Sequence, residues 1–343
     1  MVPDRRLDLK VIEGKGPAQH DPSQRPEWVL DATHGRANAP ALRPVDLLLV
    51  GYLLVTSMLI LAFPRHIALW PLHLSLRLVA MVAILRGASA KPTNPVLRFV
   101  RDWYPVVLFA PIYAELGSLT HVFTSLRYDD IVMGWEQALF HGQPSQTLHL
   151  RWPSVVLSEY LHFSYFYYYF VPTTLAAWLY ASKRMERFSR ALTATLLAFL
   201  TCCCAYLVFP VAGPYQHLAH ASAASWPGVF GPLTHRVVES GSAVGTAFPS
   251  SHTAVAVCVW LTAWRLCKPA FWVLCFIVPA LALATVYGGF HYAVDTIAGA
   301  TWGATCAVLA PRVHARLAAR MAGGRTSERS QTFASQGRGR PLE

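Results

Sequence analysis

Apolar runs long enough to cross a bilayer leave a chain few folds, because hydrocarbon offers no partner to an unpaired backbone amide or carbonyl. Eight runs in this sequence approach or reach the roughly 17–25 residues a spanning helix needs. They lie near 46–63, 66–85, 103–124, 160–181, 191–211, 249–266, 270–288 and 292–310. The second is the weakest, since Arg77 lies within it and Pro71 breaks its start. Composition agrees: 54% of the 343 residues are hydrophobic and 14% charged, where a soluble domain carries about 25% charged residues. The expected fold class is all-α, a polytopic membrane helix bundle of about eight transmembrane helices. Residues 1–45 are polar and Pro-rich, without the apolar region of a secretory signal, and read as a disordered cytoplasmic arm. Residues 311–343 read as a disordered basic cytoplasmic tail.

The net charge of +11 is informative through its placement. Alternate segments between the runs hold 24 of the Lys and Arg residues and the remaining segments hold 4, with Arg77 left over. Basic residues accumulate on the cytoplasmic side of membrane proteins, so both termini are expected to be cytoplasmic. The same placement argues against a nucleic-acid partner. The seven cysteines fall inside or at the edges of the apolar runs with no CxxC among them, which suits small packing residues rather than disulfides or a thiolate metal site.

This topology sets two histidines on one face. The last run opens with GGFHYAVDTIAGA, Gly288 to Ala300, in which His291 and Asp295 stand one helical turn apart and can meet. An ionisable pair at the mouth of a spanning helix is costly and marks a functional site by default. A carboxylate bonded to one imidazole nitrogen fixes the tautomer and leaves the other nitrogen as nucleophile or base. The sixth run opens with Pro249, Ser250, Ser251 and His252, a good helix start whose amides and dipole suit an anion. His252, His291 and Asp295 together have the parts for phosphoryl transfer through a phosphohistidine. One histidine attacks, one protonates the leaving oxygen, and the aspartate orients the attacker.

These residues resemble the type 2 phosphatidic acid phosphatase superfamily. One of its motifs is Pro-Ser-x-His, matched by Pro249 to His252, and another ends in His-x-x-x-Asp, matched by His291 and Asp295. The run from Gly289 to Gly299, together with Gly213-Pro214-Tyr215, resembles the inositol phosphorylceramide synthase branch, an inositolphosphotransferase-like group. The resemblance covers roughly residues 100 to 310. It implies His291 as nucleophile, His252 as general acid and base, and Asp295 holding His291. Pro249, Ser250, Ser251, Gly213, Pro214 and Tyr215 would then lie at the substrate. It also implies a six-helix catalytic core over 100–310, two additional helices over 46–99, and chemistry with no cofactor or metal. The superfamily's Lys-x6-Arg-Pro motif is absent here, and Ala284 and Thr285 stand where it carries Ser-Arg. Two phosphate-binding cations are therefore missing.

Three further stretches have structural readings. RDWYP, Arg101 to Pro105, reads as a snorkelling arginine with an aromatic belt. SYFYYYF, Ser164 to Phe170, reads as an aromatic interface band. Between them, Ile131, Trp135, Leu139 and Phe140 fall at helical spacing, an amphipathic helix lying on the membrane over the site. Its Asp129, Asp130 and Glu136 are not clustered tightly enough for a divalent ion. His217, His220 and His235 read as solvated loop residues. The expected activity is transfer of a phosphoryl or phospho-head-group from a membrane lipid, with a polyol or other alcohol as acceptor. Water as acceptor gives a lipid phosphatase instead. A transporter with a His/Asp proton relay is the alternative of another class; it calls for polar groups spread along several helices.

Overall fold

The computed structural model describes residues 42–89, 93–123, 127–218 and 222–336, with side chains of the last helix described through Met321. Most of the arm expected over 1–45, and His220, lie outside the described residues. The elements in chain order are α1 (Pro44–Ala62), α2 (Trp70–Ser89), α3 (Pro95–Val107), α4 (Phe109–Leu119), α5 (Asp129–Phe140), α6 (Pro144–Arg151) and α7 (Val155–Phe166). After a 3₁₀ turn at Tyr167–Phe170 come α8 (Val171–Ala181), α9 (Met185–Val208), the single turn α10 (Pro214–His217) and α11 (Phe230–Gly241). The chain ends with α12 (Ser251–Leu266), α13 (Lys268–Tyr287) and α14 (Ala293–Gln336). No strand occurs among the described residues; Val211 and Thr246 form an isolated parallel bridge. The protein is a polytopic helical membrane bundle.

Among the described residues five helices are long and apolar enough to cross a membrane: α1, α2, α9, α13 and α14 as far as Met321. The sequence predicts eight passages, and the other three are built differently. The run 103–124 is divided at Leu108 into α3 and α4. Pro111 has no N–H for the carbonyl of Val107, so α3 ends there. The run 160–181 tightens into the 3₁₀ turn ahead of Pro172. The Val171 amide is shared between the carbonyls of Tyr167 and Tyr168, since residue 172 cannot serve Tyr168. The run 249–266 forms a helix of 16 residues, about 24 Å long and short of the ~30 Å hydrocarbon core. At the other end, α14 continues through Pro311, where the sequence places the end of the span and the start of the tail.

The centre of the bundle is α9 and α12, whose small residues let neighbouring helices close in. Ala191, Ala194, Ala198, Cys202, Cys203, Ala254, Ala256, Cys258 and Ala263 are buried in one core, and the cysteines are unbridged. Arg77 is buried in α2 yet fully engaged. It makes a forked pair with Glu115 of α4 (Nε to Oε1 2.8 Å, Nη2 to Oε2 2.6 Å) and donates to Thr56 and the Leu53 carbonyl of α1. His73 Nδ1 stands 2.8 Å from the same carboxylate. A cation in hydrocarbon is tolerated when paired in this way, and the pairing fastens α1 and α2 to α4.

Candidate active site

The mouth of α12 is organised by a tyrosine from α9. The buried Tyr206 hydroxyl donates to the Pro249 carbonyl (3.0 Å) and accepts from the Ser251 amide (3.1 Å). Ser250 caps the helix, its Oγ accepting from the Thr253 amide as a serine N-cap should. The Ser250 amide donates to the main-chain oxygen of Asp295 at 3.0 Å, tying the start of α12 to the first turn of α14. The two helices then run very close. A Cβ on Gly299 would strike the Ser250 carbonyl, and one on Gly303 the Ala254 carbonyl. This is the small-xxx-small contact by which membrane helices approach.

His291 is placed by the turn between α13 and α14. The amides of Phe290 and His291 both donate to the Thr285 carbonyl at 2.9 Å, and Gly289 supplies the positive φ of +69° that a side chain would resist. Asp295 is fully buried. Its Oδ2 accepts from the Tyr292 amide at 2.9 Å and lies 3.5 Å from His291 Nδ1. That second distance is longer than a formed hydrogen bond, and such contacts tighten when substrate binds. The His252 ring faces the His291 ring with centroids 5.6 Å apart. Both rings line a narrow pocket with Tyr113, Tyr165, Tyr215, Thr246 and Phe290.

The structure therefore brings together His252, His291 and Asp295, with Asp295 behind His291 rather than on the pocket wall. Of the six residues expected at the substrate, Tyr215 lines the pocket. Pro249, Ser250, Ser251, Gly213 and Pro214 are not among its lining residues. The Ser251 and Thr253 amides are already engaged, so less of the α12 N-terminus is open to an anion than the motif suggests. No lysine or arginine is among the lining residues. Gly213 holds φ +86°, and a Cβ there would meet Ala247 at 2.8 Å. The Tyr215 hydroxyl donates to Glu239 at 3.1 Å; burial and that carboxylate push its pKa up.

Two carboxylates missed as site components come from α5. Its apolar row faces outward, with Ile131, Trp135, Leu139 and Phe140 all exposed, and its acidic row faces the site. Asp129 accepts from the amides of Ala212 (2.9 Å) and Gly213 (2.9 Å) and from the Tyr292 hydroxyl (3.4 Å). Glu136 is 0% exposed, and its Oε2 accepts from the Val294 amide at the start of α14. Burial pushes its carboxyl up to about 7, with the Asp295 charge adding to the rise and the Ala293 and Val294 amides opposing it. Asp130 points to solvent, so the three acids do not converge. Among the described residues no group of three His, Cys, Asp or Glu could hold a metal ion. His235 departs from its solvated expectation: it is buried on α11 and stacks on Trp226 with centroids 4.6 Å apart.

Comparison with known families gives one match. The model described as the PAP2 superfamily covers residues 130–309, just over half of the chain. It starts inside α5 and ends within α14, so it contains Gly213 to Tyr215, His252, His291 and Asp295 and leaves α1–α4 unmatched. Comparisons with curated proteins and with solved structures find no match.

Proposed function

The chain belongs to the PAP2 superfamily, and from that premise we propose that it is a membrane phosphotransferase working on lipid phosphates or phospholipid head groups through a phosphohistidine. The observation that carries the reading is the pairing of two imidazoles in one pocket, one of them buried and backed by a carboxylate. With Nδ1 directed at Asp295, the Nε2 of His291 is the nitrogen left to attack phosphorus. The bond from phosphorus to the leaving oxygen breaks, and His252 gives that oxygen its proton. In the second half the acceptor O–H passes its proton to His252, and its oxygen displaces the phosphoryl group from His291. Asp295 stabilises the imidazolium character that develops on His291 in both halves.

The finer reading is an inositolphosphotransferase-like transfer to an alcohol. Its support is the synthase-like run Gly289 to Gly299 and Gly213-Pro214-Tyr215, together with a pocket that lacks the phosphatase cations. The 24-to-4 basic asymmetry supports cytoplasmic termini and a site on the opposite face, in the cell membrane. The arginine, glutamate and histidine of α2 and α4 give the transporter alternative little help, because they join three helices and engage one another. The test is purified protein in detergent with radiolabelled lipid phosphates, with and without inositol. Transfer of label to inositol, with an acid-labile, base-stable phosphoenzyme that vanishes in His291→Ala, is expected. Release of inorganic phosphate alone would make water the acceptor, and label persisting in His291→Ala would move the nucleophile elsewhere.

A further inference from the structure

Two rings of the Ser164–Phe170 segment do more than band the interface. Tyr165 stacks on the His252 imidazole, with centroids 4.9 Å apart and planes at 25°. Tyr168 covers the same imidazole at 4.3 Å and 47°. The Tyr165 hydroxyl stands 3.3 Å from His252 Nε2. Both tyrosines reach one imidazole because the helix tightens between them. Residues three apart eclipse in 3₁₀ geometry, and the turn at Tyr167–Phe170 follows from Pro172. We propose that Tyr165 and Tyr168 form an aromatic clamp that orients His252 as proton donor and stabilises its imidazolium form. The proposal rests on the role given to His252 above and names what supports that role.

The two histidines are served by unlike devices. His291 has Asp295. Among the described residues no carboxylate lies against His252, and its buried Nδ1 has no hydrogen-bond partner. The titratable groups facing it are His291 from the α13–α14 turn and Tyr165 and Tyr168 from the α7–3₁₀ segment, with Tyr113 and Tyr215 across the same pocket. An imidazolium in such surroundings finds its electron-rich partner in a π face, which attracts a cation within about 6 Å of the ring centroid. The chemical consequence suits an acid. A carboxylate at His252 would compete with the leaving oxygen for the proton, whereas a ring face favours the charged form without accepting its proton. Tyr165 also packs on Phe290, centroids 4.5 Å apart. One ring therefore sets His252 against the residue next to His291 and helps hold the 5.6 Å spacing of the two imidazoles.

The test uses the full chain in detergent and begins with a readout that needs no turnover. The rate at which diethyl pyrocarbonate acylates His252, followed by mass spectrometry across pH, reports the titration of that imidazole. Tyr168 is half-buried, so Tyr168→Leu should fold. Loss of its ring should lower the midpoint by about one pH unit, and Tyr168→Phe, which keeps the ring, should restore it. In assays with a labelled lipid phosphate, the matching limb of the kcat/KM profile should move the same way in Tyr168→Leu. Tyr165→Phe, which loses the hydroxyl alone, should lower kcat roughly tenfold with KM nearly kept, as expected when a proton donor is misaimed. An unchanged acylation midpoint in folded Tyr168→Leu overturns the clamp. Absence of His291-dependent turnover in the wild type would instead sink the catalytic reading, leaving the acylation midpoints to decide whether the rings stabilise the imidazolium.

Discussion

Glu136 makes the dependence of this site on its covering helix measurable. The carboxyl is 0% exposed and titrates near 7 rather than at 4.5. Asp295 on α14 faces it, and Asp129 and the Tyr292 hydroxyl belong to the same cluster. Because the folded value is raised, docking of α5 is most favoured below pH 4.5, where the carboxyl is protonated in both states. As pH rises toward 7, the undocked carboxyl releases its proton while the docked one keeps it. The docked state then loses about 1.4 kcal/mol per pH unit, roughly 3 kcal/mol across the window. Glu136→Gln imitates the protonated acid and removes the titration. Hydrogen exchange of the 129–140 amides should be compared between wild type and variant at matched pH, so that intrinsic rates cancel. The protection ratio of wild type to variant should fall about a hundredfold between pH 4.5 and 7.5. A ratio independent of pH would refute the argument and leave Glu136 ionised in its capping role throughout.

Four further outcomes are expected. Asp295→Asn should keep substrate affinity while kcat falls steeply, and His252→Ala should lose roughly 10²–10⁴-fold with a lipid leaving group but recover in part with an aryl phosphate; equal losses on both substrates would remove His252 from leaving-group protonation. Gly299→Ala should destabilise the protein by about 1–3 kcal/mol because the new methyl meets the Ser250 carbonyl, read as a lowered thermal midpoint together with lost activity. In intact cells, Ser222→Cys in a background lacking reactive native thiols should take up an impermeant maleimide and Ser330→Cys should not; the reverse pattern inverts the bundle.

What the sequence makes legible here is what repeats or lies close along the chain. The i, i+4 spacing of His291 and Asp295 survives as a 3.5 Å approach, and Ser250 sits as the N-cap its motif suggests. Hydropathy finds the apolar runs but averages over side chains. It does not register that Pro111 and Pro172 withhold a backbone donor, and so it reads two divided segments as continuous spans. The carboxylates of α5 escape for another reason. Asp129 serves amides at 212 and 213, and Glu136 an amide at 294, and no local pattern couples residues so far apart. Acids whose partners are distant amides look like solvated acids until the chain is folded.

The glycines carried more information than their motif suggests. Gly299 closes the family-like run, but with Gly303 it also forms a small-xxx-small pair facing the carbonyls of Ser250 and Ala254. That contact brings the main chain of α12 onto α14 at the level where the Ser250 amide meets the Asp295 carbonyl oxygen. Asp295 thus acts through two separate groups. Its carboxylate lies beside His291, while its peptide oxygen holds the helix that bears His252. The separation of the two main chains that carry His252 and His291 is consequently set by backbone contacts. Any residue at 295 would supply that peptide oxygen, so Asp295→Asn should spare the peptide link while removing only the charge, and its kinetic loss reads the carboxylate alone.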